Sequence, residues 1–289
     1  MWSIIAAAIA AATATPFTVA RHTAISGGCI NSAYRIEGCG ATYFVKINSV
    51  DKRDMFAAEA AALEQIARSN TVRVPRAICH GEDRTASWLV LEYVALAPGG
   101  DFGALGRQLA AMHRVTGSTF GWWRDNTIGA TPQCNEPTAD WIEFWRTHRL
   151  GYQLRRAAQH GYGGALQRHG ERLMGKLDRL LQDHRPWPSL LHGDLWSGNI
   201  AFVGAGEPVI FDPATYYGDR ETDLAMTELF GRLPGEFYAA YNEAFPLDAG
   251  YAVRKDLYNL YHVLNHLNLF GGGYLIQAKR LIARLLAET

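Results

Sequence analysis

The sequence predicts an α+β fold in two lobes: a small β-rich N-lobe with one main helix, and a larger, mostly helical C-lobe. Three observations predict it. Short apolar runs at 17–25, 30–36, 42–47, 74–80 and 87–94 crowd the first third of the chain, bounded by turn-forming residues as strands are. One Ala/Glu/Leu-rich run free of Gly and Pro, 53–68, interrupts them as a helix. After Ala97-Pro98-Gly99-Gly100-Asp101, the strongest break in the pattern, the segments turn long and helical. The predicted domains are therefore 1–96 and 97–289, with a cleft between them as the expected ligand location.

Each element follows from its residues. Trp2, Ile5 and Ile9 fall at helical spacing in an Ala-rich opening, so a packed N-terminal helix is expected. That opening has no Lys or Arg ahead of its apolar run, unlike a signal peptide, and is too short for a membrane span. In the C-lobe, 104–114, 138–160, 167–183, 221–230, 236–244 and 252–270 read as helices. Between them, 190–217 holds two short apolar runs that each end on a polar motif, His192-Gly193-Asp194 and Asp212-Pro213.

Composition sets the bounds. The 289 residues are 48% apolar and 19% charged, which supplies a core and excludes a disordered or coiled-coil chain. Lys+Arg and Asp+Glu are both 28, so no broad basic surface for nucleic acid or anionic lipid is expected. Cys29, Cys39, Cys79 and Cys134 fit no zinc spacing and are too few for a disulfide scaffold; they read as free thiols of a reducing, cytoplasmic compartment.

The densest chemistry is Leu191-His-Gly-Asp-Leu-Trp-Ser-Gly-Asn199. Asp194 and Asn199 stand five apart, the offset found in the catalytic loop of protein kinases, where the Asp takes the hydroxyl proton and the Asn holds Mg²⁺. Asp212 closes Val209-Ile210-Phe211 as a second metal ligand would, although Asp-Pro replaces the usual Asp-Phe-Gly. Lys46, inside the apolar Tyr43-Phe-Val-Lys-Ile47, needs a counter-charge if buried. Glu59 on the following helix is the expected partner, with Glu64 the alternative. Gly27 and Gly28 in the turn 26–32 let backbone N–H groups approach phosphate. Cys29 beside them would feel those dipoles and Lys46, and so be redox-sensitive.

Together these residues resemble the protein-kinase-like fold and, more closely, the fructosamine kinase (ketosamine-3-kinase) family. The resemblance rests on HGDLWSGN with its Trp, on the string 211–231 that opens Phe-Asp-Pro-Ala-Thr-Tyr-Tyr-Gly-Asp, on Phe120-Gly-Trp-Trp-Arg-Asp-Asn-Thr-Ile-Gly129, and on Tyr261-His-Val-Leu-Asn-His-Leu-Asn. It implies ATP-dependent phosphorylation of the 3-hydroxyl of ketosamines (fructosamine, ribulosamine or erythrulosamine) in deglycation repair, with ATP and Mg²⁺ required. It implies Asp194 as catalytic base; Asn199 and Asp212 as metal ligands; Gly27, Gly28, Lys46 and Glu59 at the phosphates; and Glu92 and Val94 as a hinge for adenine. Trp196, Asn126, Thr127, Gln133, Trp141, Asn265 and His266 become candidate substrate contacts, with His192 and Asp223 as structural supports. The expected partners are small-molecule ketosamines or glycated lysines on proteins, not nucleic acid or membrane. A monomer is expected, with a redox-linked dimer through Cys29 open under oxidation. An aminoglycoside- or choline-type phosphotransferase and a non-catalytic nucleotide-binding scaffold are the competing readings. The scarcity of acids in 251–289, Asp256 and Glu288 alone, counts against a cationic aminoglycoside or choline pocket.

Overall fold

The computed structural model describes residues 1–26 and 30–289. Strands β1 (Arg21–Ile25), β2 (Ser32–Gly38), β3 (Ala41–Ser49), β4 (Ala77–Glu82) and β5 (Ala86–Glu92) form an antiparallel sheet in the order β1-β2-β3-β5-β4. Helix α1 (Trp2–Thr13) buries Ile5, Ala6 and Ile9 against Ile36, Val45, Ile47, Trp88 and Val90 of one sheet face. Side chains alternate along a strand, so Lys46, between Val45 and Ile47, is directed to the other face.

Helix α2 (Arg53–Arg68) has the bounds its composition predicts. It buries Met55, Phe56, Ala58, Ala62, Leu63 and Ile66, a stripe at helical spacing. Asp54 in its first turn and Arg68 in its last complement the helix dipole.

The chain divides into two compact units, 1–101 with 200–213 and 102–199 with 214–289. The first unit thus extends past the expected boundary at 96 and takes back a later segment. The cause is pairing: β6 (Leu96–Ala97) joins β10 (Ile200–Val203), which joins β11 (Glu207–Ile210), in a small sheet ordered β11-β10-β6. Gly100 lies so close to this hairpin that a Cβ would stand 2.2 Å from the Phe202 ring.

The second unit is helical, built from α3 (Phe102–His113), α4 (Trp141–Phe144), α5 (Gly151–Gln159), α6 (Ala165–Met174), α7 (Leu177–Leu180), α8 (Glu221–Leu229), α9 (Gly235–Ala244), α10 (Tyr251–Phe270) and α11 (Leu275–Ala287). Two small ladders accompany them, β7 (Asn126–Ile128) with β8 (Thr131–Gln133), and β9 (Ser189–Leu190) with β12 (Tyr217–Gly218). The expected helix at 138–160 starts instead at Trp141, because the Asp140 carboxylate caps the Glu143 N–H at 2.7 Å. It passes through a π-helical stretch, Trp145–Leu150, that carries the buried Arg149. The expected helix at 167–183 is two helices, and α11 lies beyond the last one expected. No helix among the described residues is long and apolar enough to cross a membrane.

Candidate active site

In the first unit the opposite face of β3 carries a buried charge cluster. Lys46 Nζ stands 2.6 Å from Glu59 Oε1 and 2.5 Å from Asp212 Oδ1. Burial alone would lower the Lys46 pKa, but Glu59 and Asp212 outweigh it and hold the ammonium well above the usual lysine range. Lys46 is therefore a fixed positive charge. Glu64 pairs with Arg68 on the exposed side of α2 at 2.5 Å, which leaves Glu59 as the partner.

Asp212 has φ 59, a left-handed conformation that non-glycine residues rarely adopt. Such strain persists where the surroundings over-determine it, as at functional sites. The Asp212 side chain stays 45% exposed, so carboxylate oxygen remains open to a cation. At the end of β5 the Glu92 N–H is spent on the Arg76 carbonyl at 2.9 Å. Val94 follows, half-buried. The expected contacts of Gly27, Gly28 and Cys29 lie outside the described residues.

In the second unit the HGD loop is held by backbone hydrogen bonds. The Asp223 carboxylate accepts the His192 N–H at 2.7 Å and the Gly193 N–H at 2.8 Å, and His113 Nε2 lies 3.1 Å away. Burial pushes the Asp223 carboxyl up, but the hydrogen bonds from His113 and from the loop N–H groups hold it below the usual carboxylate range. His192 is buried, and its Nδ1 accepts the Asp194 N–H at 3.2 Å, a supporting contact rather than a basic one. Asp194 itself is half-buried.

Asn199 Nδ2 donates to the Asp194 backbone carbonyl at 2.9 Å. This turns the amide so that Oδ1 remains an acceptor. The Asn199 amide oxygen in the second unit and the Asp212 carboxylate in the first are each a hard oxygen donor of the kind Mg²⁺ takes, so each side chain by itself fits a divalent metal.

Two expected substrate contacts are placed otherwise. Asn126 and Gln133 are buried. Asn126 Nδ2 donates to the Thr215 carbonyl at 2.8 Å, and Gln133 Nε2 to Asn126 Oδ1 at 2.8 Å and the Ala214 carbonyl at 3.1 Å. Tyr261 donates to Gln133 Oε1 at 2.6 Å. With their amides so engaged, both fix the chain at 214–215 rather than contact substrate. Trp141 is buried with its Nε1 donating to Tyr258 at 3.2 Å, and Asn265 Oδ1 accepts from Gln153 at 3.1 Å, so both are internal too. Thr127 is half-buried. Trp196 and His266 retain exposed surface.

Sequence reasoning missed His113, which joins Asp223 to Tyr241 Oη at 2.8 Å. It also missed Arg149, which donates to the Cys134 carbonyl and to Asn135 Oδ1, both at 2.7 Å. The Arg149 guanidinium lies 4.1 Å from the centroid of the Tyr216 ring. No local spacing announces either residue. Phe230 and Tyr274, by contrast, lie in or near stretches already singled out.

A β-rich unit with a Lys–Glu pair and a helical unit with an Asp-braced HGD loop are the parts of a protein-kinase-like phosphotransferase. The choline kinase LicA of Streptococcus pneumoniae has this fold, with a TM-score of 0.64 at 14% identity over 99% of each chain. Sequence narrows the class. A family model described as fructosamine kinase matches residues 1–288. The probable ketoamine kinase of Synechocystis sp. is 49% identical, over 99% of this chain and 97% of that protein. The chloroplastic protein-ribulosamine 3-kinase of Oryza sativa subsp. japonica is 44% identical, over 90% and 77%. A crystal structure assigned as a fructosamine-3-kinase from Haemophilus somnus superposes with a TM-score of 0.91 at 31% identity, covering 99% and 98%. The chain belongs to the fructosamine kinase family, and is a kinase that takes an alcohol group as acceptor, with ATP as its other substrate and a divalent metal required.

Proposed function

We propose that this chain transfers the γ-phosphoryl group of ATP to the 3-hydroxyl of a ketosamine, with Mg²⁺ as its metal. The observation that carries this reading is the Asp194 loop, held through the hydrogen bonds of His192 and Gly193 to Asp223 and followed two residues on by an exposed Trp196. The names of the relatives, ketoamine kinase and ribulosamine 3-kinase, supply the acceptor class.

The residues divide the chemistry. Asp194 accepts the proton of the attacking hydroxyl as the new O–P bond forms and the β,γ-bridging P–O bond breaks. Lys46, kept charged by Glu59 and Asp212, would neutralise the α- and β-phosphates. Asn199 and Asp212 would hold Mg²⁺, which when bound offsets the charge building on the phosphate oxygens. Trp196 offers its ring to the C–H face of the sugar. Phosphate at O3 makes the adduct unstable and regenerates the amine, so the reaction serves deglycation repair of free or protein-bound amines, in the cytoplasm.

The test is ATP consumption with Mg²⁺ over ribulose-lysine, erythrulose-lysine, fructose-lysine, an aminoglycoside and choline. Ketosamine-dependent turnover is expected, and Asp194→Asn should lower kcat by about 10²–10⁴-fold. Turnover on choline or the aminoglycoside alone would overturn the reading.

A further inference from the structure

Five aromatic rings of the helical unit form a chain of contacts that starts at Trp196. Its ring meets Phe230 edge-on, with centroids 6.4 Å apart. Phe230 lies 4.6 Å from the His266 ring. His266 in turn lies 5.4 Å from Phe270 and 5.1 Å from Tyr274.

The backbone explains the meeting. His266 and Phe270 are four apart on α10 and share a face. Gly271, at φ 92, ends that helix, and the short turn Gly272–Tyr274 follows, returning Tyr274 to His266. Core rings would be covered. Here Trp196 is 37% and Phe270 55% exposed, while Phe230, His266 and Tyr274 are half-buried. Contiguous exposed apolar surface of this kind marks a binding site.

We propose that this strip is the subsite for the protonated secondary amine of the ketosamine and the first carbons of its carrier. The proposal rests on the ketosamine-kinase reading above. In a ketosamine the nitrogen is four bonds from O3, a reach of roughly 5 Å from bond lengths near 1.5 Å. With O3 at Asp194, the nitrogen falls within reach of the next large side chain of the loop, Trp196. An alkylamine is cationic at neutral pH. Carboxylates or aromatic faces attract such a cation.

Of the carboxylates near the strip in sequence, Asp194 is taken up at O3 in this reading and the others are paired. Asp256 pairs with Arg284 at 2.7 Å, and Glu228 accepts from Tyr251 at 2.8 Å and pairs with Lys255 at 3.0 Å. Beyond Asp194, the rings are the attracting groups. His266 suits the role because burial holds its imidazole below the usual histidine range, so it adds no repulsive charge. Its Nδ1 lies 2.8 Å from the His262 carbonyl and donates there, which leaves Nε2 as an acceptor for an amine N–H. Phe270, beyond it, offers its ring to the methylenes of a lysine carrier.

The experiment compares two substrates: ribulose-lysine, and a 1-O-alkyl ribulose in which an ether oxygen replaces the nitrogen. Phe270→Ala and Tyr274→Leu are the variants, with Phe270→Tyr as the conservative control. The expected result is a KM for ribulose-lysine raised about tenfold in Tyr274→Leu, with kcat nearly unchanged and the ether unaffected, a smaller rise on both substrates in Phe270→Ala, which loses the alkyl contact they share, and Phe270→Tyr near wild type. An equal rise on both substrates in Tyr274→Leu would overturn the proposal in favour of sugar stacking. An unchanged KM would remove the strip from the site. Failure of the parent reading shows separately, as wild-type protein that turns over no ketosamine at all.

Discussion

Two glycines of the catalytic loop meet different neighbours, and the difference separates stability from specificity. Gly193 has φ 84, and a Cβ there would stand 2.1 Å from the Ala214 carbonyl oxygen. Backbone cannot swing aside, and the conformation is itself strained for an L side chain. Gly193→Ala is expected to cost about 1–3 kcal/mol of stability from strain alone, and to depress kcat by shifting Asp194. Gly198 faces a movable obstacle, because its Cβ would stand 2.3 Å from the far edge of the Trp196 ring. Gly198→Ala should leave Tm within about 2 °C of wild type. It should raise the ketosamine KM several-fold by turning that ring away. Thermal melts with steady-state kinetics on both variants test the pair, and a Gly198→Ala enzyme with unaltered ketosamine KM would refute the positioning of Trp196 by Gly198. Both glycines belong to the string HGDLWSGN, the part of the site most legible in the sequence because its chemistry-bearing residues are contiguous. Asn126 and Gln133 were less legible. Amides can meet either substrate or chain, and their carbonyl partners at 214 and 215 lie more than eighty residues away.

Elements hold that loop in place from a distance. Asp223 sits in the first turn of α8, and its carboxylate takes two successive loop N–H groups. An amide in its place offers one oxygen and one nitrogen, so a buried N–H loses its acceptor. Asp223→Asn is therefore expected to cost about 1–3 kcal/mol. It should also lower kcat about 10–100-fold, on the order of one to two hydrogen-bond energies lost at the transition state, with little effect on the ATP KM. Urea denaturation and initial rates check both numbers, and an unchanged kcat would show that the loop holds its shape without the brace. The sequence exposes Asp223 through its string but hides His113, which comes from α3, 110 residues earlier. Helix α2 is legible to the residue because Ala, Glu and Leu specify it locally. The π-helical stretch Trp145–Leu150 is not, since Arg149 within it is stabilised by partners in other elements, the Tyr216 and Tyr261 rings and Asn135. Helix α11 was legible and passed over: Ala278, Leu281, Ile282 and Leu285 repeat at helical spacing and are buried.

Stability belongs to the whole molecule, and its pH dependence collects buried groups from several helices. The return of 200–213 to the first unit shows why such long-range effects escape sequence reading, since β6 and β10 pair across about a hundred residues without a local signal. His262 is the strongest titrating case. It is buried on α10, and burial, then the neighbouring His266, lower its pKa to about 3. In the unfolded chain it titrates near 6.5. Its folded form thus stays neutral while the unfolded form takes up a proton, so stability is full above pH 6.5 and falls as the pH drops toward 3. The slope is about 1.4 kcal/mol per pH unit. His184, raised above its usual range because Asp219 outweighs burial, acts in the opposite window: its contribution is complete below pH 6.5 and fades as pH rises through its folded value. Asp223 and Asp219, held low against burial by their hydrogen-bond partners, contribute above the ordinary Asp range and lose that contribution as the pH falls through their folded values. Between pH 6.5 and 4.5 the His262 contribution therefore falls, and His266, also lowered by burial, adds to it with the same sign. Glu59 and Glu221, whose carboxyls burial pushes up, act with the opposite sign, because the folded form takes up their protons first. The His262 contribution to the unfolding free energy should drop by roughly 2–3 kcal/mol over that interval. Urea titrations at pH 7.5, 6.0 and 4.5 measure it. In a His262→Gln protein, or His262→Phe if the amide does not fold, the decline should flatten to the residue left by His266. An undiminished slope would assign the acid sensitivity elsewhere, and Asp223→Asn at pH 4.5 would be the next protein to titrate.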